Sequence, residues 1–277
     1  MTDHYAVIGN PVAHSKSPLI HAEFARQTNQ DMTYGTVLAP LDGFEETVER
    51  LRQKGYRGCN VTVPFKFKAF LYAKSRGERA EAAKAVNTLK FNDDEIFGDN
   101  TDGAGLVADI QKNLQITIAG KSVLIVGAGG AAWGVLFPLL QQSPQRLIIS
   151  NRTIAKAEDA VRILSPLAKH KDKSTEFVAK QFNELEGSQF DIVINATSSG
   201  LRDELPPLPG SLFARDSLAY DMMYGRITPF MAFAEKEGAS KISGGLGMLV
   251  EQAAESFFLW RGIRPETKSV IEKLGSC

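Results

Sequence analysis

Apolar positions along this chain repeat with two periods, and the switches between them mark out its elements. Tyr5 to Ile8, Tyr34 to Leu38 and Arg57 to Val63 are short runs that predict strands, the first closed by Gly9. Between them, Leu19, Ile20, Phe24 and Ala25 make one helical face, and Phe44, Val48 and Leu51 make another, with Gly55 suited to the position after that helix. Ser17 before Pro18 predicts a helix start, with Ser17 as the cap. Val86 to Phe91 and Glu95 to Phe97 predict a hairpin around Asn92-Asp93-Asp94. Leu106, Val107, Ile110 and Leu114 form the face of a further helix that could bridge two domains. Four more strands follow at Ser122–Val126, Arg146–Ser150, Phe190–Asn195 and Leu218–Asp221, with Leu205–Pro209 as a loop. After Gly244–Gly247, the positions Leu249, Val250, Ala253, Phe257 and Trp260 face one way on a long helix, and Pro265 to Leu274 make a last one. Strands alternating with helices predict an α/β fold with mostly parallel pairing.

One junction carries chemistry. The apolar strand Ser122–Val126 runs into Gly127-Ala128-Gly129-Gly130-Ala131-Ala132, and Trp133 to Leu140 then reads as helix. Strand, glycine turn and helix in this order fit a dinucleotide-binding turn. Gly127 permits the tight turn, Gly129 lets the backbone approach a pyrophosphate, and Ala132 lets helix and strand pack closely. The helix N-terminus offers N–H groups to phosphate. Read alone, the same stretch is a plain glycine turn. The fingerprint starts only at residue 127, so a segment long enough to be a substrate domain precedes it.

The next strand selects the cofactor. Its end would carry an acidic residue in an NAD-binding protein, to hold the adenosine ribose. Here stand Asn151-Arg152-Thr153, with Lys156 one helical turn on. Cations at this place match a 2′-phosphate, so NADP is favoured over NAD. Because ligands lie beyond strand carboxyl ends in such sheets, Thr197, Ser198 and Met222 are expected in the cofactor cleft, with Tyr224 reaching toward the substrate.

Three polar clusters lie at element ends in the first half: Ser15-Lys16-Ser17, then Asn60, Thr62 and Lys66, then Asn87-Thr88 with Gly98–Gly103. Singly they read as a helix cap, a half-exposed strand and an Asn/Asp/Gly turn. Together they supply hydroxyls, amides, a cation and carboxylates to a polyhydroxylated ligand.

Composition narrows the classes. Net charge is zero over 277 residues, so no strong field favours nucleic acid or an anionic membrane. Two cysteines, Cys59 and Cys277, argue against a disulfide framework, and His4, His14, His21 and His170 form no zinc pattern with them; no metal is expected. The N-terminus lacks a signal-peptide pattern and no run spans a bilayer, so a cytoplasmic protein is expected, as monomer or homodimer. A nicotinamide enzyme acting on an alcohol must also move the hydroxyl proton. No Tyr-x-x-x-Lys occurs, which leaves Lys66 and Asp102 as candidates: a lysine beside a carboxylate can exchange that proton and steady a nascent alkoxide.

These stretches resemble the shikimate dehydrogenase family over nearly the whole chain. The likeness runs through Gly9–Pro18, Asn60–Lys66, Ala85–Thr88, Gly98–Gly103, Val126–Ala131, Asn151–Thr153, Asn195–Gly200 and Gly244–Met248, in order. It implies reversible reduction of 3-dehydroshikimate to shikimate with NADPH, on the way to chorismate and aromatic amino acids. It implies an α/β substrate-binding catalytic domain at 1–102, a Rossmann-like doubly wound NADP-binding domain at 103–242, and helices at 243–277 that return to the first domain. By motif position, Lys66 is the acid/base and Asp102 its partner. Ser15 and Ser17 would hold the substrate carboxylate. Asn60, Thr62, Asn87, Asp102, Tyr224 and Gln252 would meet its ring and hydroxyls. Gly127, Ala128, Gly129, Gly130, Ala131, Asn151, Arg152, Thr153, Lys156, Met222 and Gly245 would hold NADP, with Glu78 near it. Lysine at 156, where close relatives often carry arginine, keeps the charge but loses the planar fork. A quinate/shikimate dehydrogenase using NAD as well, or a non-catalytic NADP-binding sensor, are the competing readings of the same fold.

Overall fold

The computed structural model describes residues 2–92, 95–170, 173–199 and 203–276. Asp93 and Asp94 of the expected hairpin turn, Gly200 and Cys277 lie outside the described residues. The chain forms two compact units, Met1–Gly105 with Leu249–Cys277, and Leu106–Met248.

The first unit holds β1 (Asp3–Gly9), α1 (Ser17–Gln27), β2 (Met32–Leu38), α2 (Phe44–Gln53), β3 (Tyr56–Val61), α3 (Lys66–Tyr72), β4 (Ser75–Arg76), α4 (Glu78–Ala83), β5 (Thr88–Phe91), β6 (Ile96–Asp99) and the start of α5 (Asp102–Ala108). Its sheet has the order β2-β1-β3-β5-β6-β4. β1 runs parallel to β2 and β3, while the β5–β6 hairpin pairs antiparallel with β3. Alternate residues of the strands serve opposite faces. Ile8, Val61 and Leu89 pack under Phe44, Val48, Phe65 and Ala69 of the α2–α3 side. On the other face Tyr5 stacks on Trp260, whose indole N–H donates to the Leu89 carbonyl at 3.0 Å. Trp260 belongs to the long helix expected near the end of the chain; its later turns join Ile20 and Phe24 of α1 in one apolar cluster.

The helix expected after Ser17 takes Ser17 in as its first residue. The Ser17 hydroxyl therefore caps nothing, and Ser15 Oγ instead accepts the Ser17 N–H at 3.2 Å.

In the second unit α5 runs on into a wider π-type turn at Asp109–Asn113. Then come β7 (Ser122–Val126), α6 (Gly130–Leu140), β8 (Arg146–Ser150), α7 (Ile154–Leu164), β9 (Lys169–His170), β10 (Lys173–Ser174), β11 (Glu176–Lys180), β12 (Phe190–Asn195), β13 (Phe213–Asp221), α8 (Pro229–Lys236) and β14 (Lys241–Gly244). α9 (Leu246–Arg261) begins in this unit and continues in the first, where α10 (Lys268–Gly275) ends the chain. The sheet order is β11-β8-β7-β12-β13-β14, every pair parallel, which is the doubly wound order of a Rossmann-like sheet. Its central strands β7, β8 and β12 are buried apolar runs because helices cover both faces; Leu124, Ile148, Val193 and Ala219 pack with Phe190, Leu212 and Phe230. β9 and β10 form a small separate ribbon.

Register brings the chemistry into one line. Val126 lies opposite Ser150 and Asn195, Asn195 opposite Asp221, and Asp221 opposite Gly244. Each residue that follows, Gly127, Asn151, Ala196, Met222 and Gly245, therefore leaves the sheet along the same edge.

Candidate functional site

In the first unit, Lys66 opens α3 after a turn closed by Phe65 N–H on the Thr62 carbonyl at 3.0 Å. Asp102 opens α5, with its N–H on Asn100 Oδ1 at 3.1 Å. Lys66 Nζ donates to Asp102 Oδ2 at 2.5 Å, and Asn87 Nδ2 donates to Asp102 Oδ1 at 2.7 Å. Both carboxylate oxygens are thus engaged, from two different elements. Asn87 cannot turn over: its Oδ1 accepts from Thr101 N–H at 2.9 Å and from Thr88 Oγ1 at 2.9 Å. The lysine keeps an open side, with 30% of its side chain exposed against 12% for Asp102.

Gln252, on α9, joins this network in the same unit. Its Oε1 accepts from Thr101 Oγ1 at 3.3 Å and from Asn87 Nδ2 at 3.4 Å. Asn60, expected at the ring, is buried behind Asn87. Its Nδ2 donates to the Asn87 carbonyl (3.1 Å), Thr88 Oγ1 (3.0 Å) and Ser256 Oγ (3.0 Å), and its Oδ1 accepts from Tyr34 at 2.7 Å. Ser15 and Ser17 follow β1, while Thr62 and Lys66 follow β3, its neighbour in the sheet. These two turns are tied by Asn10 N–H on the Val63 carbonyl at 3.0 Å. Serine hydroxyls, a half-buried threonine and the Lys66–Asp102 pair thus gather at one end of the sheet.

Beside this cluster lies a buried stack of rings. His21 is fully buried and lies flat on Tyr34, centroids 4.2 Å apart. Among the described residues, neither of its ring nitrogens has a partner at full hydrogen-bond geometry. Burial pushes its pKa down to about 3, against a lesser opposing pull from Asn60. Burial likewise raises the Tyr34 phenol well above its ordinary value.

In the second unit, a cavity of about 620 Å³ lies along the strand carboxyl ends. It is lined by Gly127 to Ala131, Asn151, Arg152, Thr153, Lys156, Thr197, Ser198 and Met222. Phe182, Ser199, Glu204, Leu205, Pro206, Pro207 and Met223, not expected from sequence, complete the wall. Gly127 has φ +109°, and a Cβ there would press on the Ala196 backbone at 3.2 Å. Its N–H donates to the Ser150 carbonyl at 2.7 Å, and Ala128 N–H donates to Asn151 Oδ1 at 3.3 Å, which ties the glycine turn to the end of β8. Gly129 and Gly130 are exposed at the start of α6, with open space where side chains would be. Arg152 and Lys156 are exposed and pair with no carboxylate among the described residues. Phosphate-binding N–H groups and two free cations in a cavity of this size fit NADP.

Three expected site residues stand apart from that cavity lining. Glu78 is exposed on α4 in the first unit. Tyr224 is 38% exposed in the turn after β13. Gly245 abuts the Met222 carbonyl so closely that a side chain there would displace it.

Family models match along the chain: the shikimate dehydrogenase substrate binding domain at residues 7–89, shikimate / quinate 5-dehydrogenase at 109–202, and the shikimate 5′-dehydrogenase C-terminal domain at 245–274. A shikimate dehydrogenase (NADP(+)) of Methylobacillus flagellatus is 60% identical, with 98% of each chain covered. The chain belongs to the shikimate dehydrogenase family. The like-named protein of Nitrosospira multiformis is 57% identical over 100% of this chain and 98% of its own. Among solved structures, an Ael1 enzyme from Pseudomonas putida superposes with a TM-score of 0.92 at 46% identity, covering 99% of this chain and 98% of that one. A shikimate 5-dehydrogenase of Thermus thermophilus, solved with NADP(H) and shikimate, gives 0.86 at 29% identity and covers 99% of both.

Proposed function

We propose that this chain reversibly reduces 3-dehydroshikimate to shikimate with NADPH, in the cytosol, as a step of chorismate and aromatic amino acid biosynthesis. The observation that carries the reading is the Lys66–Asp102 pair, held by Asn87 and open on the lysine side. Bound NADPH would supply the hydride. Lys66 donates a proton to the substrate carbonyl oxygen in the reductive direction, and takes the proton back from the hydroxyl in the oxidative direction. Asp102 orients the Lys66 amine and accepts from a neighbouring ring hydroxyl. Asn87 fixes Asp102, and with Thr62, Gln252 and Tyr224 it meets the ring. Asn60 supports Asn87 from behind, since its own amide is committed to protein. Ser15 and Ser17 hold the substrate carboxylate with neutral donors.

In the second unit, Gly127 to Ala131 hold the pyrophosphate, with Asn151 bracing the turn. Arg152, Thr153 and Lys156 hold the 2′-phosphate, which favours NADP over NAD. Thr197, Ser198, Met222 and Gly245 bound the nicotinamide end, and Glu78 contributes near the cofactor. The test is absorbance at the NADPH band after mixing the protein with shikimate and NADP. Growth of that band supports the reading, and its absence at high protein concentration refutes it. Quinate with NAD in the same assay separates the broader relative.

A further inference from the structure

Asp221 ends β13 and is fully buried. Each hydrogen-bond partner of its carboxylate among the described residues donates. Oδ1 accepts from Met223 N–H at 2.9 Å. Oδ2 accepts from Asn195 Nδ2 at 3.0 Å and Thr228 Oγ1 at 2.5 Å. The polarity of each bond is fixed from outside. Asn195 Oδ1 already accepts from Thr197 N–H at 3.2 Å and Thr197 Oγ1 at 2.8 Å, so its NH₂ must face Asp221. Thr228 Oγ1 accepts from Met231 N–H at 3.3 Å as the cap of α8, so its hydrogen must point at Asp221. Three donors converging on the two oxygens are the partners a carboxylate accepts from.

Among the described residues, no lysine, arginine or histidine pairs with Asp221, and the cation of the following turn, Arg226, pairs with Asp203 at 3.0 Å on the surface. A buried charge without a countercharge is costly, and hydrogen bonds relieve only part of that cost. Its position explains it. Arg152 and Lys156 mark the 2′-phosphate end of the cavity on the β8 side, and the glycine turn follows β7. A dinucleotide crossing the switch between β7 and β12 must then lay its nicotinamide over the ends of β12 and β13. Met222 and Met223 line that end of the cavity, and Asp221 lies directly before them in the chain.

We propose that Asp221 is the fixed countercharge of the oxidised nicotinamide ring, and so sets the preference of the site between NADP and NADPH. The oxidised ring carries a positive charge and the reduced ring is neutral, so a buried anion behind Met222 and Met223 attracts one form more than the other. The same residue spaces the Ala196–Ser199 and Met222–Thr228 turns through Asn195 and Thr228, but that bracing serves both forms alike. The inference rests on the cofactor placement proposed above.

Calorimetric titration of the full-length protein with NADP and, separately, NADPH at neutral pH reads the preference without turnover. Asp221→Asn is expected to weaken NADP at least about tenfold, the effect of one unit charge roughly 12 Å away at an effective dielectric of about 20, and NADPH less than about twofold. Thr228→Val, which loosens the turn and keeps the charge, is expected to shift both forms equally. If thermal melting shows Asp221→Asn to be unfolded, the double variant Asp221→Asn/Thr228→Val, which removes the hydroxyl facing the new amide, is read against Thr228→Val. An equal loss for both forms, or an unchanged ratio, overturns the proposal while leaving the cofactor site in place. Failure of the unaltered protein to bind either form overturns the cofactor placement as well.

Discussion

Asp102 receives Lys66 on one carboxylate oxygen at 2.5 Å, and the amine keeps an open side. The lysine is aimed rather than neutralised in a closed pair, which is the arrangement a proton donor needs. Lys66→Ala is expected to lower turnover about 10²–10⁴-fold, the usual worth of general acid–base catalysis. Shikimate binding should fall less, since Ser15, Ser17, Asn87 and Gln252 remain. Rapid-mixing measurement of hydride transfer with saturating shikimate and NADP reads this directly. Near-normal transfer in a folded variant would send the proton by another route.

Arg152 offers a guanidinium that no carboxylate of the described chain claims. Arg152→Ala is expected to weaken NADP about ten- to a hundredfold, from the roughly 1.5–3 kcal/mol of a charge-assisted hydrogen bond. NAD, which lacks the 2′-phosphate, should change little. Dissociation constants for both cofactors on the variant decide it, and equal losses would remove Arg152 from the 2′-phosphate site.

Much of this was legible because the informative residues sit at the ends of apolar runs. Ser122–Val126 declares a buried strand by composition, and the glycines after it declare the turn. The edge strands were not legible. β11, Glu176–Lys180, and β14, Lys241–Gly244, are short and half-exposed, so neither alternation nor an apolar run marks them. The direction in which a polar side chain points was also hidden. Asn60 reads as a substrate contact until β5 and α9 are placed, whereupon Asn87, Thr88 and Ser256 take up its amide. Gln252 is marked only by the family resemblance, since nothing in its helical pattern singles it out, and α9 brings it to Thr101 and Asn87. Asn195 and Asp221 read as two strand ends, and only register makes them a pair.

Ser17 is drawn into α1, so its hydroxyl is not spent on a cap, and Ser15 braces it through the Ser17 N–H. Ser15→Ala removes both the proposed carboxylate donor and that brace. If the contact is equal in ground and transition states, the Michaelis constant for shikimate rises while turnover holds. One lost hydrogen bond to a charged group corresponds to roughly tenfold or more. Steady-state kinetics at saturating NADP reads the split. Unchanged affinity for shikimate would place the carboxylate elsewhere.

His21 links the stacked rings behind the site to the acid stability of the fold. Its folded pKa of about 3 lies far below the ordinary histidine value of about 6.5, because burial strips water from the charged ring and the lesser pull of Asn60 does not make up for it. The unfolded chain takes up a proton that the folded chain refuses. The neutral ring's contribution is therefore fully present above about pH 6.5 and is lost as pH falls from there toward about 3. At pH 5 the loss from this one group is on the order of 2 kcal/mol. His21→Phe keeps a flat ring against Tyr34 and cannot titrate. Any packing offset it introduces is the same at every pH, while the carboxylates that also weaken the fold in acid are unchanged. Urea unfolding of both proteins at pH 7.5 and pH 5 isolates the difference, and the variant is expected to lose about 2 kcal/mol less stability over that interval. Equal losses in the two proteins would mean that the folded His21 accepts a proton, and that the ring stack beside Asn60 is wetter than its burial implies.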